Sequence, residues 1–228
     1  MRQYGLIGHP LGHSFSAAFF AQKFACENID AQYDNFDLAE VGNLRDWVSE
    51  HPMLAGFNVT IPHKQAVVSQ LDTDLLGFTR SIAPLLCPTH RKALILGTGG
   101  ASKAVVVGLR RLGLEVTYVS RRPSAPVLVG AIPVPVITYA ELSPELLAQH
   151  TVIVNASPVG MAPAVEEAPQ LPYDALTSAH LLYDLIYNPE ETHFLHEGAQ
   201  RGCCVKNGLE MLHLQALEAW DFWNAPRH

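Results

Sequence analysis

The chain has 228 residues, 48% of them apolar and 16% charged, enough for two small domains or one large one around a substantial core. Its net charge of −7 argues against nucleic acid or an anionic membrane surface as a partner. Cys26, Cys87, Cys203 and Cys204 form no Cys-x-x-Cys pair, and the 11 histidines show no metal-ligand spacing. Neither a disulfide framework nor a metal centre is therefore expected, and a reducing, cytoplasmic setting is the default.

Tyr4 to Ile7 reads as a short strand stopped by Gly8 and Pro10, too short for a leader or a membrane span. A helix follows over Ala17–Cys26, with Phe20 and Phe24 on one face and Ser14 or Ser16 as its cap. Tyr33–Leu38 is a second strand, Leu44–Val48 lies in a short amphipathic helix, and Leu54–Thr60 is a third strand. Pro62 opens a helix through Leu71, and another is expected over Asp74–Leu86, with Cys87-Pro88-Thr89 as a domain boundary.

The third strand ends in Asn58-Val59-Thr60-Ile61-Pro62-His63-Lys64. Asn58 and Thr60, two apart, share a face of the strand end. Lys64 falls in the first turn of a helix, where partial positive charge makes a cation unusual. With Asp74 following, these groups point to a small-molecule site.

From Lys92 the pattern changes. Lys92–Leu96 is a continuous apolar strand, as a parallel sheet buried on both faces requires. It enters Gly97-Thr98-Gly99-Gly100-Ala101, a helix over Ser102–Leu112 and a strand at Val116–Val119. Thr151–Val154 and Leu181–Leu185 add strands, and Ser143-Pro144 caps a short helix. Alternation of this kind predicts a doubly wound, Rossmann-like α/β domain. Arg121–Val136 carries four prolines and little helical periodicity, so this half of the domain looks abbreviated. An apolar-faced helix over Leu209–Trp223 ends the chain and is long enough to pack back on the first domain.

A glycine turn between a strand and a helix fits a dinucleotide fingerprint, with the pyrophosphate on the helix N-terminus. The next strand ends in Ser120-Arg121-Arg122, with no carboxylate to bond a ribose 2′-hydroxyl. Two guanidinium groups and a hydroxyl suit a 2′-phosphate, which favours NADP over NAD.

Taken together the motifs resemble the shikimate dehydrogenase family. The matching stretches are Gly8–Ser16, Asn58–Lys64, Thr73-Asp74, Gly97–Ala101, Asn155–Met161, Asp184–Pro189 and Asn207–Leu212 with Gln215. They lie in the family's order from end to end of the chain. The resemblance implies an N-terminal α/β substrate domain (1–74 with 208–228), a Rossmann-like NADP domain (75–207), and a cleft between them. It implies reversible reduction of 3-dehydroshikimate to shikimate with NADPH in aromatic amino-acid biosynthesis, by a monomer or homodimer. Lys64 and Asp74 match the catalytic pair. Ser14, Ser16, Asn58, Thr60, Tyr187 and Gln215 match the substrate pocket. Gly97, Thr98, Gly99, Gly100 and Ala101 form the nucleotide turn. Ser120, Arg121 and Arg122 surround the adenosine phosphate, and Leu185 and Gly208 lie beside the nicotinamide.

His9, Ala17, Ser120, Arg122 and Glu210 are mild departures from the family's pattern. A larger one falls between Leu71-Asp72 and Thr73-Asp74, where members carry a hairpin-sized stretch with an Ala-Val-Asn-Thr motif whose asparagine binds substrate. Either this stretch is deleted, or it was left out of the sequence as read, which the intact remaining site favours. Two other functions stay open: a quinate/shikimate dehydrogenase of broader specificity, and a catalytically silent NADP-binding paralogue if the deletion is real.

Overall fold

The computed structural model describes residues 1–11, 15–40, 44–60, 70–122 and 125–225, and the side chains of all of these except 44–46 and 70–72. The chain divides into two compact units, Met1–Thr73 with Ala216–His228, and Asp74–Gln215.

In the first unit β1 (Arg2–Gly8), β2 (Ala31–Asp37) and β3 (Leu54–Val59) form a parallel sheet in the order β2-β1-β3. Helices α1 (Phe15–Cys26) and α2 (Leu44–Ser49) make the connections, since parallel strands cannot be joined by a tight turn. The core is aromatic. Tyr4 of β1 and Phe20 and Phe24 of α1 are buried with Ala216. Ala216 lies on α7 (Leu209–Asn224), whose Trp220 and Trp223 bring their rings 5.3 and 5.1 Å from Tyr4. The end of the last helix therefore packs on this sheet, as its apolar face suggested. Gly56 of β3 makes room for it, because a Cβ there would collide with the Trp223 indole.

The second unit holds a six-stranded sheet with every neighbouring pair parallel, in the order β11-β10-β9-β4-β5-β8. Its strands are β4 (Lys92–Leu96), β5 (Glu115–Ser120), β8 (Val136–Thr138), β9 (Val152–Asn155), β10 (Leu181–Asp184) and β11 (Cys204–Lys206). Strand order reverses between β4 and β9, the doubly wound arrangement. Side chains alternate between two cores, as a period of two demands. Ala93 and Ile95 pack with Val105 and Leu109 of α4 (Gly100–Arg111), while Leu94 and Leu96 pack with Leu147 of α5 (Pro144–Gln149) and Phe194 of α6 (His193–Gln200). Ser143 caps α5 by accepting a bond from the Leu146 N–H.

The proline-rich stretch after β5, expected to be abbreviated, holds no helix among its described residues and is an antiparallel hairpin, β6 (Val127–Val129) with β7 (Ile132–Val134), followed by β8. Two other sequence expectations change. The passage between units falls at Thr73–Asp74, ahead of Cys87-Pro88-Thr89, because Phe78 and Ile82 belong to the second unit's core. Likewise Leu209–Gln215 cluster with the second unit, where Met211 is buried. Finally, α3 (Gln70–Ile82) runs unbroken through Asp72–Thr73, where two helices were expected to meet. Residues 62–69 of the expected Pro62–Leu71 helix lie outside the described residues.

Gly56→Ala should force the Trp223 indole off β3 and cost about 1–3 kcal/mol, the usual penalty of overpacking. Urea denaturation against the wild type measures it.

Candidate active site

In the first unit the polar groups gather at the carboxyl ends of the strands. The Asn58 side-chain amide donates to the Tyr33 hydroxyl at 3.1 Å. The same phenol is hydrogen-bonded to Ser16. Burial pushes the Tyr33 pKa up, and the bonds from Asn58 and Ser16 offset only part of that shift. Its ring stacks on Phe20 at 4.8 Å, which fixes the hydroxyl between α1 and β3. Two of the predicted substrate residues are thus joined through a tyrosine that the sequence placed only in a strand. A mid-strand tyrosine opposite Tyr4 in the register reads as core, and its hydroxyl partner is invisible in sequence. Thr60 is half-buried, and its N–H donates to Ile7 O at 2.8 Å. Ser16 lies within α1, while the alternative cap Ser14 and the predicted acid Lys64 lie outside the described residues. Near the end of β1, His9 Nδ1 meets Asp37 at 2.6 Å and the Leu11 N–H donates to the same carboxylate at 3.2 Å. The His9 bond, helped by Leu11, holds the Asp37 carboxyl below its usual range.

In the second unit the glycine turn begins where β4 ends. Gly97 has φ of +98°, a left-handed conformation that favours glycine. A Cβ there would stand 3.1 Å from that of Ser157. Gly99 is the N-cap of α4, with no side chain capping it and no acidic residue in the first turn. A Cβ on Gly99 or Gly100 would meet no atom within 4 Å. The protein's own packing therefore does not require these two glycines, and they expose the backbone donors of a helix N-terminus, which suits a pyrophosphate. Thr98 is exposed, and Ala101 sits half-buried in the first turn of α4. Ser120 closes β5 and accepts from the Arg122 N–H at 3.4 Å, leaving Arg121 and Arg122 exposed. This donor set, with guanidinium groups and no carboxylate at the end of β5, fits a nucleotide bearing a 2′-phosphate.

Other expected neighbours also meet. A Cβ on Gly208 would collide with the Leu185 carbonyl, and the Gly208 N–H donates to Ile186 O at 3.0 Å. Gln215 donates to the Asp74 carboxylate at 2.9 Å. Gly77 permits that approach, since a Cβ there would lie 2.7 Å from Gln215 Cγ. Tyr187 is 42% exposed.

A buried polar network went unassigned in the sequence reading. Asp184, wholly buried at the end of β10, accepts from Asn155 Nδ2 at 3.1 Å, the Ile186 N–H at 3.0 Å and Thr192 Oγ1 at 2.7 Å. Loss of solvation is the largest influence on its carboxyl and raises its pKa from 3.8 to about 6 despite these three bonds. A signal was present in sequence: Asn155 and Asp184 are polar residues closing two wholly apolar strands, and they face each other in register.

A glycine turn on the central strand of a doubly wound sheet defines the class of nucleotide-binding α/β proteins. Residues 6–75 match the family model described as the shikimate dehydrogenase substrate binding domain. A shikimate dehydrogenase (NADP(+)) of Desulforamulus reducens is 34% identical, over 96% of this chain and 88% of its own length. That alignment runs to 258 positions against a chain of 228, so stretches of the relative have no counterpart here. Among solved structures, a shikimate 5-dehydrogenase of Thermus thermophilus, in complex with NADP(H) and shikimate, superposes with a TM-score of 0.82. It is 25% identical, with 99% of this chain and 94% of that one covered. A 5-ketofructose reductase of Gluconobacter reaches a TM-score of 0.83 at 25% identity, over 99% and 93% of the two chains. The chain belongs to the shikimate dehydrogenase family.

The Asp184 pKa sets the sign of a pH effect. A carboxyl whose folded pKa exceeds its unfolded one binds more protons in the native state between the two values, so stability falls as pH rises from about 4 to about 6. In Asp184→Asn this loss is removed. The stability of wild type minus that of the variant should drop by about 2 kcal/mol between pH 4 and pH 7, as read from paired urea titrations.

Proposed function

We propose that this protein catalyses the reversible, NADPH-dependent reduction of 3-dehydroshikimate to shikimate, a step of aromatic amino-acid biosynthesis. The observation that carries the reading is the hydrogen bond between Asp74 and Gln215, 141 positions apart. It joins a member of the matched catalytic pair to a member of the matched substrate set. Ser16 and Asn58, drawn together by Tyr33, support the same assignment in the first unit. That unit takes the substrate, with Ser14 and Ser16 on its carboxylate. The glycine turn and Arg121 take the nucleotide. The reading carries with it a cytoplasmic setting and a monomer or homodimer.

NADPH, when bound, supplies the hydride. The ketone oxygen then gains alkoxide character and needs a proton, which the Lys64 ammonium supplies as a general acid. Asp74 favours the charged lysine. Gln215, by donating to Asp74, orients that carboxylate. In the direction of shikimate oxidation Lys64 accepts the proton, which higher pH assists because an ordinary lysine titrates near ~10.4.

A second reading is a catalytically silent NADP-binding protein, because the family's substrate-binding asparagine belongs to a stretch with no counterpart between Leu71-Asp72 and Thr73-Asp74 in this sequence. Purified protein should oxidise shikimate with NADP⁺ at least about tenfold faster than with NAD⁺, and faster than it oxidises quinate, followed by absorbance of the reduced nucleotide. Equal turnover of quinate would indicate the broader enzyme, and NADP⁺ binding without turnover the silent one. Lys64→Ala should lower kcat by about 10²–10⁴-fold with the circular dichroism spectrum retained; unchanged turnover would remove Lys64 from the mechanism.

A further inference from the structure

We infer that Asp184 is a positioning residue for the cofactor site: through Asn155 it holds the Asn155–Gly160 loop as the wall against which the nucleotide turn at Gly97 is set. The inference rests on the reading that this turn takes NADP.

The chain of contacts is continuous. Asp184 receives three hydrogen bonds and donates none in its ionised form. One comes from Asn155 Nδ2, which also donates to Val159 O at 3.1 Å. The amide is thereby fixed in one orientation, since reversing it would turn its oxygen toward the carboxylate. Asn155 Oδ1 then faces the loop and accepts from both the N–H and the Oγ of Ser157, at 3.1 and 2.7 Å. Ser157 Oγ in turn accepts from the Val159 N–H at 3.3 Å. The loop so shaped lies directly on the turn: a Cβ on Gly97 would be 3.1 Å from Ser157 Cβ and 3.3 Å from Ala156 O.

The far end of the loop is tied to the same carboxylate. Gly160 has φ of +96°, and a Cβ there would stand 3.6 Å from Thr192 Cβ. Thr192 donates to Asp184 at 2.7 Å and accepts from the Leu195 N–H at 3.4 Å at the start of α6. An apolar residue at 184 would strand three buried donors. Asparagine would keep two of them paired, because its oxygen can accept from Asn155 and Ile186, and its NH₂ can donate to Thr192 Oγ1 so that only the Thr192 hydroxyl hydrogen loses its acceptor.

The test is calorimetric titration of the purified full chain with NADP⁺ and with adenosine 2′-monophosphate. The latter carries the phosphate assigned to Arg121 but no pyrophosphate. Wild-type binding of NADP⁺ tests the reading itself. Given that, Asp184→Ala should weaken NADP⁺ at least tenfold and leave 2′-AMP within twofold, while Asp184→Asn binds NADP⁺ within threefold of wild type. Ser157→Ala, half-buried in the loop and outside the core, should weaken NADP⁺ at least threefold, and it decides the matter if Asp184→Ala does not fold. The inference is overturned by unchanged NADP⁺ affinity in folded Asp184→Ala or in Ser157→Ala. It is equally overturned by parallel loss of both ligands in either variant, or by a failure of asparagine to rescue.

Discussion

The constraint on which the second unit depends is the burial of a parallel sheet on both faces. Strands β4, β9 and β10 have no solvent side, so almost every residue in them is apolar and polar groups can appear only where the strands end. All the parallel strands point the same way, and their carboxyl ends therefore gather on one edge. Gly97, Asn155 and Asp184 stand there together. Chemistry concentrates on that edge because the rest of the sheet cannot host it.

The same logic operates on a smaller scale in the first unit. Three parallel strands carry Asn58 and Thr60 at the end of β3, while the interior is filled by Tyr4, Phe20 and Phe24 under two tryptophans from the last helix. Tyr33 belongs to both worlds. Its ring packs against Phe20 and its hydroxyl serves Asn58 and Ser16. Aromatic residues with a polar tip suit such borders, where apolar packing fixes the position of a hydrogen-bonding group.

Much of this was legible in the sequence. The run Lys92–Leu96 before a glycine turn announced a buried parallel strand, and its four buried residues divide between two cores as the period requires. Ser143-Pro144 announced a capped helix start. What failed did so for physical reasons. The helix through Asp72–Thr73 was split in the sequence reading into one ending at Leu71 and one beginning at Asp74, although no glycine or proline interrupts Gln70–Ile82 except Gly77, whose role is close approach to Gln215. β8 and β11, three residues each, are too short for periodicity to reveal. Asp184 was quoted as part of a motif without a role, because its burial and its three donors come from residues that the sequence separates.

The hairpin that replaces a crossover helix after β5 has a further consequence, for behaviour in concentrated solution. It displays Leu128 and Ile132 at 65% and 52% exposure, a combination that on an unpaired strand invites edge-to-edge self-association. Pro133 sits opposite Leu128 in the pairing, and Pro126 and Pro135 lie just outside the two strands. Proline offers no N–H to an incoming chain. The ribbon can thus carry exposed apolar side chains while its backbone is a poor template, so its stickiness is held to side-chain contact and does not extend to strand addition.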